Sequence, residues 1–238
     1  MTQENRSMQV FFKYRHLRGK QARKLLKKYI LKREVWFASP RTLNDPLDCL
    51  PSVTTGGKYD HDRTSAFFNV LDERTGVFST SLNPTSVLQW SYYADGHTGV
   101  CFGINMRHEK AGRYQVKYSN ERVKFTSEKL ESLPPNEFEE QLIEAVTTKG
   151  KIWSHEQEYR FLKKGSGVKN FPAENLVSLY VGCNAQLEDI DWLAATIKRS
   201  NINPQIALMK RLDNFSLEID PCAQDWDELK DKIRLNRV

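Results

Sequence analysis

The sequence predicts an α+β fold, a mixed α/β arrangement in a single domain whose central mixed or split antiparallel sheet is flanked by helices. Three observations predict it. Short β-prone runs and amphipathic helical runs intermingle along the chain, which argues against separate all-α and all-β parts. No internal repeat and no linker-like stretch interrupts the 238 residues, so residues 9–220 read as one domain and 221–238 as a charged C-terminal tail. Hydrophobic residues make up 39% of the chain and aromatics 11%, enough for a sizeable core.

The elements follow in order. Residues 9–14 (QVFFKY) are aromatic-rich and predict a strand. Residues 19–31 carry Ala22, Leu25, Leu26 and Tyr29 at helical spacing with Lys and Arg opposite. EVWFAS (34–39) predicts a second strand, stopped by Pro40, and Asn44-Asp45-Pro46 predicts a turn. The polar, Gly-rich stretch 51–62 reads as a mobile loop, with a short helix after it at 64–71. GVFSTSL (76–82) predicts a strand, and Asn83-Pro84-Thr85 a cap for a helix carrying Val87, Leu88, Trp90 and Tyr93. GVCFGI (99–104) is almost continuously apolar, as central strands are. Residues 113–118 alternate as one strand. Pro134-Pro135 opens a helix from 136 to about 149, and residues 158–162 read as a strand. LVSLYV (176–181), a helix at 188–200, and strands at 204–210 and 214–219 complete the domain, and the tail from 225 reads as a short, fraying helix.

Charge and cysteine content exclude several classes. The 36 basic and 30 acidic residues leave a net charge of +6, which permits an anionic partner without demonstrating one. The densest basic run, residues 18–33, reads either as the solvated face of a helix or as a phosphate-facing surface in which Lys24, Lys27 and Lys28 would contact nucleic acid. The four cysteines are far apart, with no Cys-x-x-Cys pair, so no zinc site is expected and all four are expected as buried free thiols. No apolar run approaches membrane-spanning length, and the polar start lacks a leader. The expected location is cytoplasmic. Phosphate-loop, dinucleotide-fingerprint, nucleophile-elbow and His-Glu-x-x-His motifs are absent.

Five constellations could carry chemistry. In Trp153–Arg160 (WSHEQEYR), Glu156 and Glu158 are two apart, so on an extended segment they face the same way. They read either as a solvated face on which Glu158 pairs with Arg160 or a cross-strand Lys, or as a catalytic carboxylate with a positioning partner. Ser79-Thr80-Ser81 could orient a carboxylate or bind a sugar hydroxyl. Arg15, at the end of the first strand, offers a fork that fits pyrophosphate, or a surface salt bridge. Asn44–Asp48 reads foremost as an Asx-type turn, with Asp48 as an alternative cation ligand. Trp90 and Tyr93 share a helix face, either packed in the core or forming a wall for a flat ring. His97 follows on a glycine-bounded loop.

FKYRHL (12–17), WFASPRTLNDPLDC (36–49), QWSYYADGHTGVCFGI (89–104) and KIWSHEQEYRFL (151–162), with the later YVG and PQIALMKRLDNFSLEI segments, resemble the prokaryotic family known as domain of unknown function 2971. That family name carries no activity. The ordered set Arg15, Ser79-Thr80-Ser81 and Glu156-Gln157-Glu158 also resembles toxin-type ADP-ribosyltransferases, with an Arg, a Ser-Thr-Ser and a Glu-x-Glu on successive core strands. This second resemblance implies an ADP-ribosyltransferase-like fold and an NAD-dependent transfer to a protein or nucleic acid, in phage defence or as a toxin. It implies that Arg15 and Ser81 contact NAD, that Ser79 braces the catalytic Glu158, that Glu156 positions the acceptor, and that Trp90, Tyr92 or Tyr93 stacks on nicotinamide. The alternatives are a non-catalytic nucleic-acid or phosphate-binding module, and a metal-dependent hydrolase or nuclease using Asp45, Asp48, His97 and the two glutamates.

Overall fold

The computed structural model describes residues 9–106, 111–170 and 175–235. The expected tail at 236–238 and the polar start at 1–8 lie outside the described residues. The fold is a mixed α/β one in which sheets are flanked by helices. Contacts divide the chain into two compact units. Unit 1 comprises Met1–Val35, Thr80–Lys110 and Asn170–Val238, and unit 2 comprises Trp36–Ser79 and Ala111–Lys169. Among the described residues, no helix is long and apolar enough to cross a membrane.

Unit 1 is built on β1 (Val10–Arg15), β6 (Val100–Asn105), β13 (Leu176–Val181), β14 (Gln205–Arg211) and β15 (Leu217–Ile219). Their order across the sheet is β15-β14-β13-β6-β1. β6 pairs antiparallel with β1 and with β13, whereas β13 and β14 run parallel, the pairing that requires a crossover. The crossover here is α6 (Leu187–Lys198). The apolar run of β6 is explained by its central place, with Val100, Cys101, Phe102 and Ile104 all buried. α1 (Lys20–Lys32) starts after Gly19, whose φ of 87° suits glycine, and buries Leu26, Tyr29 and Ile30. Leu25 stays exposed, so the buried stripe is displaced from the expected 22-25-26-29 face. α3 (Val87–Tyr93) is capped by Ser86, whose hydroxyl accepts from the Gln89 N–H, rather than by the preceding Asn-Pro-Thr. The charged tail forms α7 (Trp226–Leu235). Its Leu229 and Ile233 are buried.

Unit 2 differs more from expectation. β3 (Ser52–Thr55) and β4 (Lys58–Tyr59) form an antiparallel hairpin in place of the expected mobile loop. Gly56 and Gly57 both have positive φ, 56° and 77°, as a two-residue hairpin turn of the primed kind needs. β3 also pairs in parallel with β9 (Lys124–Thr126). Asp60 caps α2 (His61–Arg74) by accepting from the Arg63 N–H, and this helix runs longer than expected at both ends. The alternating run at 113–118 is two strands, β7 (Gly112–Gln115) and β8 (Lys117–Ser119). Val116 divides them, its N–H going to the Glu158 carbonyl. α4 (Ser127–Ser132) follows β9, and α5 (Pro135–Val146) stops three residues before the expected end. Thr147 caps the helix end, and the residues after it form β10 (Thr148–Gly150), parallel to β8. β5 (Thr75–Ser81) neighbours β11 (Glu158–Lys164), which pairs antiparallel with β7. Cys49, Val53, Phe67, Leu71, Val77, Phe125, Leu142 and Val146 form the core of this unit.

Candidate active site

A buried charge cluster occupies the heart of unit 2. Asp48, Lys149, Glu156, Glu158 and Arg160 have side chains between 1% and 7% exposed. Buried charges are tolerated only when paired and hydrogen-bonded, and here the pairing is extensive.

Arg160 has five N–H donors, and five acceptors surround it. Nε donates to Glu158 Oε1 at 2.8 Å. Nη1 donates to the Val146 carbonyl at 2.6 Å and to Cys49 Sγ at 3.1 Å. Nη2 donates to Asp48 Oδ2 at 2.6 Å and to Glu158 Oε2 at 3.2 Å. Lys149 Nζ lies 2.5 Å from Glu156 Oε2, 3.0 Å from Glu158 Oε2 and 3.7 Å from Asp48 Oδ2. It also sits 5.2 Å from the centre of the Trp153 ring, whose N–H donates to Asp45 Oδ2 at 2.7 Å. Three carboxylates against two cations leave a formal excess of one negative charge.

Local backbone geometry assembles these groups. Residues 151–156 form a 3-10 turn, and Gln157 reverses the path in the left-handed region at φ 47°. Glu156 and Glu158 are therefore not neighbours on one strand face, yet their carboxylates converge on Lys149. The Glu158 backbone is held by its N–H to Tyr118 Oη at 2.8 Å and by its carbonyl, which accepts from Val116. On the Asp48 side, Asp45 Oδ1 accepts from the Leu47 N–H at 2.9 Å, which is the Asx turn read from Asn44–Asp48.

Burial pushes the Glu158 carboxyl up, but Arg160, Lys149 and a hydrogen bond from the Ser79 hydroxyl outweigh it and hold the acid well below the usual carboxylate range. Burial works against the Lys149 ammonium, and Glu158, Glu156 and Asp48 outweigh it, so its pKa lies above the ordinary value. Burial raises the Cys49 thiol far above the ordinary range, so it is inert as a nucleophile. Burial raises the Tyr118 phenol to about 12.

The sequence-derived candidates divide between the units. Glu156, Glu158 and Ser79 meet in unit 2. Arg15, Ser81, Trp90, Tyr93, Lys24, Lys27 and Lys28 lie in unit 1. Arg15 is part-buried, its Nη1 donating to the Tyr14 carbonyl at 3.4 Å, and burial lowers its pKa. Ser81 accepts from Gln89 Nε2 and from the Asn83 N–H, both at 3.0 Å, and so braces the start of α3. Trp90 is a core residue at 0% exposure, in edge contact with Tyr14 and donating its N–H to the Pro84 carbonyl. Its ring presents no open face. Tyr93 packs, part-buried, against the same core. His97 Nε2 lies 3.0 Å from Ser91 Oγ in unit 1, and desolvation lowers its pKa. Among the described residues no group of three or more His, Cys, Asp and Glu is arranged to hold a metal ion. Where Asp48, Glu156 and Glu158 converge, the cation between them is the ammonium of Lys149. Of the four free cysteines, Cys49, Cys101 and Cys183 are buried as expected, whereas Cys222 is exposed.

Lys149 and Tyr118 escape sequence reasoning. Lys149 sits where helical periodicity fades, and nothing in TTKG marks a buried lysine. The pairing of Glu158 with Arg160 follows from i, i+2 spacing on a strand, but the expected solvated face is a buried one.

Residues 89–161 match the family model described as protein of unknown function (DUF2971). This stretch holds Lys149, Glu156, Glu158 and Arg160. Neither the curated proteins nor the solved structures gave a match.

Proposed function

We propose that the chain is an NAD-consuming ADP-ribosyltransferase in which Glu158 is the catalytic carboxylate, Glu156 addresses the acceptor and Ser79 braces Glu158. The observation that carries this reading is the Ser79–Glu158 hydrogen bond. It joins two residues 79 positions apart that sequence order alone had linked, and it does so within unit 2. In the reaction the bond between the ribose anomeric carbon and the nicotinamide nitrogen breaks, and nicotinamide leaves with the bonding electrons. Positive charge develops on the sugar, and an ionised carboxylate stabilises it. An acceptor oxygen or nitrogen then attacks the same carbon and loses its proton to a nearby base, for which Glu156 is the candidate. The lowered pKa of Glu158 keeps it ionised at neutral pH, the state this role requires.

A second reading is favoured by one observation: Glu158 is 4% exposed and engaged by both Arg160 and Lys149. On this reading the cluster is a scaffold without turnover. Adenylate-labelled NAD incubated with the purified chain and a cell extract separates the two. The transferase reading expects label on a macromolecule, lost in E158Q and diminished in S79A. The scaffold reading expects no transfer, with E158Q affecting stability alone.

A further inference from the structure

We propose that the exposed face of α1, together with Trp192 of α6, is a binding surface for single-stranded nucleic acid, independently of the transferase reading. Lys20, Lys24, Lys28 and Lys32 follow one another at i+4 spacing, with Lys27 three after Lys24, along a helix of 13 residues, so they form one stripe, about 20 Å long at 1.5 Å per residue. α1 contains no acidic residue. Among the described residues, none of these five lysines has a carboxylate within ion-pairing distance. Asp189, on the neighbouring helix, is taken by Arg18 and Arg23, each at 2.8 Å.

The stripe borders a groove of about 570 Å³ lined by Lys20, Arg23, Lys24, Lys27, Lys28 and Trp192, among others. Inside it the Arg23 guanidinium lies 5.0 Å from the centre of the Trp192 ring, with Lys27 Nζ at 6.0 Å. Asp189 holds the Arg23 guanidinium in place, and its Nε is buried with no hydrogen-bond partner. A held guanidinium layered over an indole, beside a row of ammonium groups, combines a stacking platform with a phosphate track. A splayed single strand offers both phosphates and base faces to such a groove, whereas a duplex keeps its base faces stacked away. An anionic membrane surface fits less well. A membrane-lying basic helix inserts an apolar face, and Leu26, Tyr29 and Ile30 of α1 are already buried in unit 1.

Fluorescence anisotropy of labelled 20-nucleotide DNA and RNA single strands, titrated with the full chain over a range of salt, tests this. Binding is expected to weaken steeply with salt. The K24Q/K27Q/K28Q variant should lose on the order of a hundredfold at 0.1 M salt, with a salt slope shallower by about 2. W192A should lose roughly tenfold with little change of slope, and W192F should retain most of the affinity. E158Q should bind like the parent chain, which separates this surface from the transferase site. Circular dichroism confirms folding of each variant. Absence of binding by the folded parent chain overturns the proposal. So does binding that the triple lysine variant leaves unchanged, or capture by phosphatidylserine vesicles without capture of oligonucleotide.

Discussion

Glu158 and Arg160 stand two residues apart on β11, and the guanidinium grips both oxygens of the carboxylate, Nε to Oε1 at 2.8 Å and Nη2 to Oε2 at 3.2 Å. Period-two alternation puts both side chains on one face of the strand. In unit 2 that face is buried, so the pair is shielded from water and its breakage is costly.

Replacing Arg160 by Met is expected to destabilise the chain by about 3–5 kcal/mol, because Asp48 and Glu158 then lose their main countercharge while remaining buried. R160K should recover little, since one ammonium cannot reproduce five N–H donors in a planar fork. Denaturant unfolding monitored by circular dichroism measures both. Equal stability of the parent chain and R160M would show that the cluster is not a structural determinant.

Lys149 separates the two glutamates in the same way. K149M should destabilise by a comparable amount, and the double variant K149M/E156Q by less than the sum of the two single changes, because the groups are in contact. A double-mutant cycle on unfolding free energies reads the coupling directly. Additive losses would mean that the 2.5 Å contact has no energetic consequence.

Stability should fall at both ends of the pH scale, for different groups. Glu158 has a folded pKa below its unfolded value, so its contribution is present above about pH 4.3 and is lost as pH falls through the lower, folded value. Lys149 has a raised pKa, so its contribution is present below about pH 10.4 and is lost as pH rises through the folded value. Tyr118 acts in the same alkaline direction. The unfolded phenol ionises near pH 10 and the folded one at about 12, so stability declines across that interval. Thermal unfolding at a series of pH values checks all three, and Y118F should flatten the alkaline decline. A profile unchanged in Y118F would contradict the assignment.

Gly76 is the second residue of β5, the strand that carries Ser79. A Cβ there would lie 2.3 Å from the Gly165 carbonyl oxygen, a backbone atom that cannot swing aside. G76A is expected to cost about 1–3 kcal/mol through overpacking, read as a lowered unfolding midpoint. G57A should be milder, since a Cβ at Gly57 would meet no atom within 4 Å and only the positive φ opposes a side chain.

Much of unit 1 was legible in the sequence. LVSLYV coincides with β13, and the apolar run at 99–104 marks the central β6, because a strand buried on both faces has to be apolar throughout. Unit 2 was less legible. Gly56-Gly57 suggests flexibility by composition, yet the pair forms a hairpin turn, and RYQVKY hides a change of pairing partner at Val116 that alternation alone does not register. Within the candidate site, the two-residue spacing of Glu158 and Arg160 on one strand makes their pairing legible. Asp48 and Lys149 join through tertiary packing across some 100 residues, and no local spacing rule encodes such a meeting.

If the carboxylate braced by Ser79 cleaves the nicotinamide–ribose bond, the purified chain must release free nicotinamide from NAD, a product that chromatography follows over time. Steady release is expected from the parent chain, none from E158Q and a partial rate from S79A, with all three proteins folded. Release at the same rate from folded E158Q, or none from the parent chain at millimolar NAD with extract supplied as acceptor, would contradict the assignment of Glu158 as the catalytic carboxylate.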